Sequence, residues 1–86
     1  GVYFIQGSEG GPIKVGFTTD IKGRVAGLQT ANPDRLAVIA FLPGATRQVE
    51  QSLHAEFAHA RLPGGSEWFK ERPVVTWLKK NGHLPR

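Results

Sequence analysis

The segment VYFIQGSEGGPIKVGF, residues 2–17, decides the fold. Val2–Gln6 is apolar on both faces, which predicts a strand that is covered on two sides. Residues 7–12 contain three glycines and a proline, a composition typical of a loop that joins strands. Ile13–Phe17 then alternates between an apolar face and a face that carries a lysine and a glycine. The two runs therefore predict an antiparallel hairpin.

The pairing register of this hairpin determines which side chains share a face. If the numbers of paired residues sum to an odd value of about 17 or 19, Tyr3 and Ile5 lie on the same face as Lys14 and Gly16. A shift by one residue would move Lys14 to the opposite face. We predict the first arrangement.

The next elements follow from a cap and from apolar periodicity. Asp20 is a good N-cap for a first helix. The apolar stripe of this helix repeats with helical spacing and consists of Ile21, Val25 and Leu28. Arg24 falls beside that stripe, so its guanidinium is expected to reach the edge of the sheet. Leu36–Leu42 is predicted to be the third strand.

Two further helices, with a short extended piece at EWF (residues 67–69) between them, complete the predicted fold. The second runs over Arg47–Ala60, with Thr46 as its N-cap and an expected buried stripe of Val49, Leu53, Phe57 and Ala60. The third begins at Pro73 and is closed by Gly82. The fold class is therefore α+β: a small three-stranded antiparallel sheet flanked by three helices, in the order ββαβαα.

Length and composition limit the kind of protein. The 86 residues are predicted to form a single domain, 1–86, with 40% hydrophobic content for one core. The chain has no methionine and begins at Gly1, which indicates a domain excised from or processed out of a longer chain. It has no cysteine, so disulfides and thiolate zinc sites are excluded.

Charge and hydropathy indicate the kind of partner. The net charge of +4 suits a polyanion such as nucleic acid, although many small domains carry this charge for solubility. No apolar run approaches the roughly 20 residues of a membrane helix, so no membrane partner is expected. We expect an intracellular location, cytoplasmic or nucleoid-associated, and the sequence leaves the oligomeric state open.

Several motifs together resemble the GIY-YIG nuclease superfamily. GVYFI (residues 1–5) is similar to the first motif, and IKVG (residues 13–16) to the second, with Arg24 and Glu50 following in order. The segment EQSLHAEFAHARLPGGSEWF (residues 50–69) resembles the phage-type and meiotically up-regulated branch of the superfamily. Two positions depart from the family pattern: Lys14 stands in place of the second-motif tyrosine, and SEWF occupies the region of a late asparagine.

This resemblance implies a divalent-metal-dependent endonuclease that hydrolyses phosphodiester bonds of nucleic acid, with DNA as the expected substrate and Mg²⁺ or Mn²⁺ as the metal. Carried over position by position, the catalytic residues are Tyr3, Lys14, Arg24 and Glu50, and Glu50 is the metal ligand. We further assign substrate contacts to Gly16, His54 and Trp68.

The chemistry of hydrolysis explains these residue types. A tyrosine hydroxyl has an ordinary pKa of about 10 and needs a nearby cation to act as a base, and Lys14 on the same face could be that cation. Alternatively Lys14, if itself deprotonated, could serve as the base. Gly16 is expected to leave the backbone open to a phosphate. Arg24 offers a donor fork to phosphate oxygens, and Glu50 offers a carboxylate to the metal. The four side chains are expected within about 10 Å of a common point.

Simpler interpretations stay open at this point. Tyr3 could be a half-buried strand aromatic and Lys14 a solvated strand residue. Arg24 could do no more than pair with Asp20 one turn earlier, and Glu50 with His54. A non-catalytic nucleic-acid-binding module and a protein-interaction domain are the competing functions.

Overall fold

The chain forms one four-stranded antiparallel sheet with helices, and the computed structural model describes residues 1–64 and 66–85. In chain order the elements are β1 (Val2–Gly7), β2 (Ile13–Phe17), α1 (Ile21–Thr30), β3 (Leu36–Leu42), α2 (Arg47–Glu56), a 3₁₀ turn (Ala58–Ala60), β4 (Trp68–Phe69) and α3 (Glu71–Lys80). The strands lie side by side in the order β3-β1-β2-β4.

The predicted hairpin register is confirmed. Tyr3 lies opposite Gly16 and Ile5 lies opposite Lys14, so every β1–β2 pair sums to 19. These four residues therefore lie on the same face of the sheet. Residues 2–5 are all buried, which agrees with a central strand covered on both sides.

The prediction of a three-stranded sheet was wrong, because a fourth strand covers part of the β2 edge. Phe69 pairs with Ile13 and Trp68 pairs with Lys14, and the Arg61 backbone forms a bridge to Phe69. A strand of two residues is too short to show the period-2 alternation that identifies strands in a sequence. The order ββαβαα therefore becomes ββαβα, a 3₁₀ turn, then βα.

The second helix differs from its prediction in length and in rotation. Thr46 is its N-cap as predicted, since its side chain accepts a hydrogen bond from the Val49 N–H. The α-helix ends at Glu56, however, and the remaining predicted residues form the 3₁₀ turn. Val49 is 37% exposed whereas Glu50 is only 8% exposed. The buried face is thus turned toward Glu50, a carboxylate that hydrophobic periodicity places at the edge.

The other helices keep their predicted caps with smaller differences. Asp20 accepts a hydrogen bond from the Gly23 N–H, as expected of an N-cap. The apolar stripe of α1 is only half-buried, and α1 contributes no residue to the core cluster. Helix α3 begins before Pro73, which its first turn tolerates because those N–H groups lack helical acceptors. Gly82 follows its end with a φ of 78°.

The core lies between the sheet and the helices α2 and α3. Its buried residues are Val2, Phe4, Ile13, Val15, Ala40, Leu53, Phe57, Phe69, Val74 and Leu78. Trp77 packs beside them, with its ring centroid 6.3 Å from that of Phe4 and 6.0 Å from that of Phe57. Tyr3 and Ile5 lie on the opposite face of the sheet, which they share with Lys14 and Gly16 of β2.

Candidate metal and nucleic-acid site

The site lies beside β2, at the point where the pairing between β2 and β4 ends. Beyond the paired residues of β4, the Val15 N–H donates to the Glu67 carbonyl oxygen at 3.0 Å. The Val15 carbonyl in turn accepts a hydrogen bond from Nε2 of His54 at 2.7 Å. The backbone of one strand residue therefore holds Glu67, just before β4, close to His54 on α2.

A group of three side chains that can hold a metal ion results from this arrangement. Ligand atoms of Glu50, His54 and Glu67 all lie within 4.8 Å of one another. Glu50 and His54 are one helical turn apart, so α2 presents both in the same direction. Two carboxylates and one imidazole are a donor set that divalent metals accept.

Glu50 is only 8% exposed as a residue, and within residues 1–64 and 66–85 no cation forms an ion pair with its carboxylate. Among residues 1–64 and 66–85, no hydrogen bond or ion pair engages its oxygens. Both Glu50 oxygens keep some contact with solvent, because every fully buried side-chain oxygen in the described residues has a hydrogen-bond partner and the Glu50 oxygens have none. A carboxylate on a largely buried residue is partly desolvated, and a bound cation would offset the cost of that partial desolvation.

The hydrogen bond of His54 determines which ring nitrogen is available. A carbonyl oxygen can only accept, so Nε2 of His54 carries the hydrogen in the 2.7 Å contact with Val15. In the neutral ring, Nδ1 then keeps its lone pair and is the atom able to bind a metal. A backbone carbonyl that orients the imidazole in this way is the usual outer partner of a metal-binding histidine.

Lys14 is held by Glu67 and lies near Trp68. Its ammonium Nζ is 3.0 Å from Oε1 of Glu67 and 5.8 Å from the centre of the Trp68 ring. The Lys14 side chain is 13% exposed, and that of Glu67 is 46% exposed. In the described part of the chain this is the one ion pair between side chains.

Tyr3 differs from its predicted electrostatic state. Burial raises the pKa of its hydroxyl above the ordinary value of 10.0, and the charges of Glu67 and Glu50 raise this pKa further. The cation that opposes these effects is Arg24, not Lys14 as predicted, because the Lys14 ammonium is paired with Glu67. Tyr3 is therefore a neutral phenol at neutral pH, and its residue is only 1% exposed.

Gly16 also has a different environment from the one predicted. A Cβ atom at this position would lie 2.2 Å from the Tyr3 hydroxyl oxygen and 2.3 Å from Cζ of the same ring. The ring of Tyr3 thus fills the space over Gly16, which was expected to be open to a phosphate. The glycine serves the packing of the aromatic residue directly opposite it on β1.

The structure brings together most of the predicted site. Arg24, Glu50 and Glu67 all act on the Tyr3 hydroxyl through their charges. Arg24 is exposed and lines an open cleft with residues 18–20 of the loop before α1. Trp68 is half-buried beside Lys14. The substrate roles predicted for Trp68 and His54 stay predictions.

Sequence reasoning missed Glu67 and gave His54 a substrate contact instead of a place in the metal-binding group. Glu67 belongs to the SEWF segment, which already stood where the family pattern has its asparagine, so a signal for a functional side chain was present. The i, i+4 spacing of Glu50 and His54 on a helix was a second signal.

The geometry defines a small α+β domain with a group of side chains suited to a divalent metal. The chain matches the T5orf172 domain family over residues 1–81 and belongs to this family, which is nuclease-related. No curated protein and no solved structure matches the chain significantly. In the described residues, none of the helices has the length and apolar character needed to cross a membrane.

Proposed function

We propose that this domain is a GIY-YIG-type endonuclease that hydrolyses DNA phosphodiester bonds with Mn²⁺ or Mg²⁺. The observation that carries the proposal is the group of Glu50, His54 and Glu67, in which the largely buried Glu50 has no ion-pair partner among residues 1–64 and 66–85 and acts on the Tyr3 hydroxyl. Membership of a nuclease-related family supports a nucleic-acid substrate. The net charge of +4 also favours a polyanion.

The three donor groups fit a divalent metal. Glu50 and Glu67 would offer oxygen atoms and His54 would offer Nδ1. Magnesium and manganese both suit carboxylate oxygens and water, but manganese, as a first-row transition ion, accepts an imidazole nitrogen more readily than magnesium does. The imidazole therefore favours Mn²⁺. When bound, the ion would neutralise charge on the phosphate group that is attacked.

The remaining residues have roles that follow from their protonation and exposure. Arg24 would hold phosphate oxygens through its donor fork, since it is exposed and close to Tyr3. The neutral hydroxyl of Tyr3 can accept a hydrogen bond from an attacking water and donate its own proton to an oxygen of the phosphate. Lys14 would supply positive charge, and Trp68 a ring on which a base can stack.

The experiment that tests this proposal is incubation of the domain with labelled duplex, branched and single-stranded DNA. Each substrate is tested with Mn²⁺, with Mg²⁺ and with excess chelator. Glu50→Ala should abolish cleavage while DNA affinity stays equal or rises slightly, because the change removes a negative charge near the phosphate. Glu56→Ala is the matched control on the same helix and should leave both quantities unchanged.

Cleavage in excess chelator, or cleavage by the Glu50→Ala variant at the original rate, would contradict the metal role. A second candidate function is a non-catalytic nucleic-acid-binding module. The near-complete burial of Tyr3 and the lysine in place of the second-motif tyrosine favour this alternative. It predicts salt-dependent binding of DNA or RNA without cleavage in any metal.

A further inference from the structure

We propose that Lys14 and the divalent metal compete for Glu67, so that metal binding releases the Lys14 ammonium toward the substrate. The proposal rests on the proposed function for what the released lysine does. It adds a regulatory step to that site: without metal, the positive charge of Lys14 is neutralised by the same carboxylate that the metal requires.

The distribution of charge in the site is the basis of this inference. Two carboxylates, Glu50 and Glu67, adjoin one another, yet the single cation paired with them within residues 1–64 and 66–85 is Lys14, at Oε1 of Glu67. Within the same described residues, Glu50 has no such partner. Lys14 therefore sits at one side of the ligand group rather than at its centre.

A metal at the centre of the group is incompatible with this ion pair as it stands. Divalent ions bind carboxylate oxygens at about 2.0–2.6 Å, which would place a double positive charge against the Lys14 ammonium 3.0 Å from the same carboxylate. The two cations repel, so a metal on Glu67 weakens the ion pair and the ion pair weakens metal binding. The flexible stem of Lys14 allows its ammonium to move away at little cost.

The surroundings of Lys14 indicate where the released ammonium goes. Lys14 shares the face of the sheet with Tyr3, on the side where Arg24 acts on the Tyr3 hydroxyl. The Trp68 ring already lies 5.8 Å from Nζ and offers a cation–π contact that does not require Glu67. Metal binding would therefore increase the free positive charge on the substrate-facing side.

The test is isothermal titration calorimetry with Mn²⁺ alone, without DNA. Lys14→Met should bind Mn²⁺ about three- to tenfold more tightly than the original protein, because a partly exposed ion pair no longer competes. Glu67→Gln should bind about tenfold more weakly or worse. Adding Lys14→Met to Glu67→Gln should change the affinity by less than about twofold, since the competition is already removed.

Lys79→Met removes the same charge from the exposed end of α3 and should leave Mn²⁺ affinity unchanged. Lys14→Arg keeps the ion pair and should show no gain, which guards against a folding defect in the methionine variant. An unchanged affinity for Lys14→Met would overturn the proposal. The proposal would also be overturned if Lys14→Met increased Mn²⁺ affinity by the same factor in the Glu67→Gln background, because that outcome indicates general charge repulsion.

The outcomes separate this proposal from the proposed function. If the original protein binds no Mn²⁺, both the competition and the metal role are wrong. If the calorimetric pattern appears but no DNA is cleaved, the nuclease function fails and the competition stands. If DNA is cleaved with Mn²⁺ but Lys14→Met binds the metal as the original protein does, the function stands and the competition is wrong.

Discussion

Replacing Gly16 with alanine should force the Tyr3 ring out of its position. The new Cβ atom would lie 2.2 Å from the Tyr3 hydroxyl oxygen, about 1.2 Å short of the 3.4 Å at which ordinary contacts begin. Both residues belong to paired strands at the centre of the sheet, so neither backbone can move freely. Such overpacking costs about 2 kcal/mol, which lowers the Tm of a domain this size by about 8–16 °C.

Activity should fall by more than stability alone explains. The Tyr3 hydroxyl would move by roughly 1 Å relative to Arg24 and Glu50, and a misplacement of that size can cost about 100-fold in rate. Thermal and urea unfolding followed by circular dichroism measure the stability change. The rate of metal-dependent DNA cleavage, assayed well below the Tm of the variant, measures the effect of the displaced hydroxyl on activity separately from the loss of stability.

Gly27→Ala is the matched control and should have the opposite sign. Gly27 lies inside α1 with nothing within 4 Å of its would-be Cβ, so alanine should stabilise the protein by about 0.5–1 kcal/mol. In a Tyr3→Ala background the additional cost of Gly16→Ala should largely disappear. A Gly16→Ala variant within 0.5 kcal/mol of the original protein, on the order of an ordinary surface change, would refute the packing argument.

Two further predictions concern protonation and metal choice. The pKa of Tyr3 is raised in the folded state. The contribution of Tyr3 to the free energy of unfolding is therefore complete below the unfolded pKa of about 10 and is lost as pH rises through the folded pKa. Tyr3→Phe should remove this part of the loss of stability at alkaline pH. Tyr3 is the single tyrosine, so the near-ultraviolet absorbance of its phenolate reports the titration directly, and a midpoint at or below that of free tyrosine would contradict the burial argument. His54→Gln should reduce Mn²⁺ affinity by about tenfold while Mg²⁺ affinity changes less, since manganese accepts an imidazole nitrogen more readily than magnesium does. Calorimetry with both ions checks this, and equal losses for the two metals would show that Nδ1 is not a ligand.

Local signals in the sequence determined the hairpin and the helix starts. Alternation in Ile13–Phe17 and the two-sided apolar run before it predicted that Tyr3 and Gly16 share a face, because a one-residue shift would move Lys14 to the opposite face, whereas the pairing of Tyr3 with Gly16 itself was decided by the structure. Asp20 and Thr46 marked the starts of α1 and α2, since capping depends only on residues within one turn. These features need no information about distant parts of the chain.

Only the tertiary structure decided which residues complete the site. Glu67 reaches Val15 because the short strand β4 pairs with β2, a contact between residues more than fifty positions apart that has no local signal. The burial of Glu50 in place of Val49 depends on how α2 packs against the sheet, and hydrophobic periodicity alone assigns a carboxylate to the surface. The pKa of Tyr3 and the partner of Lys14 follow from the same packing, because burial and charge separation are properties of the folded arrangement.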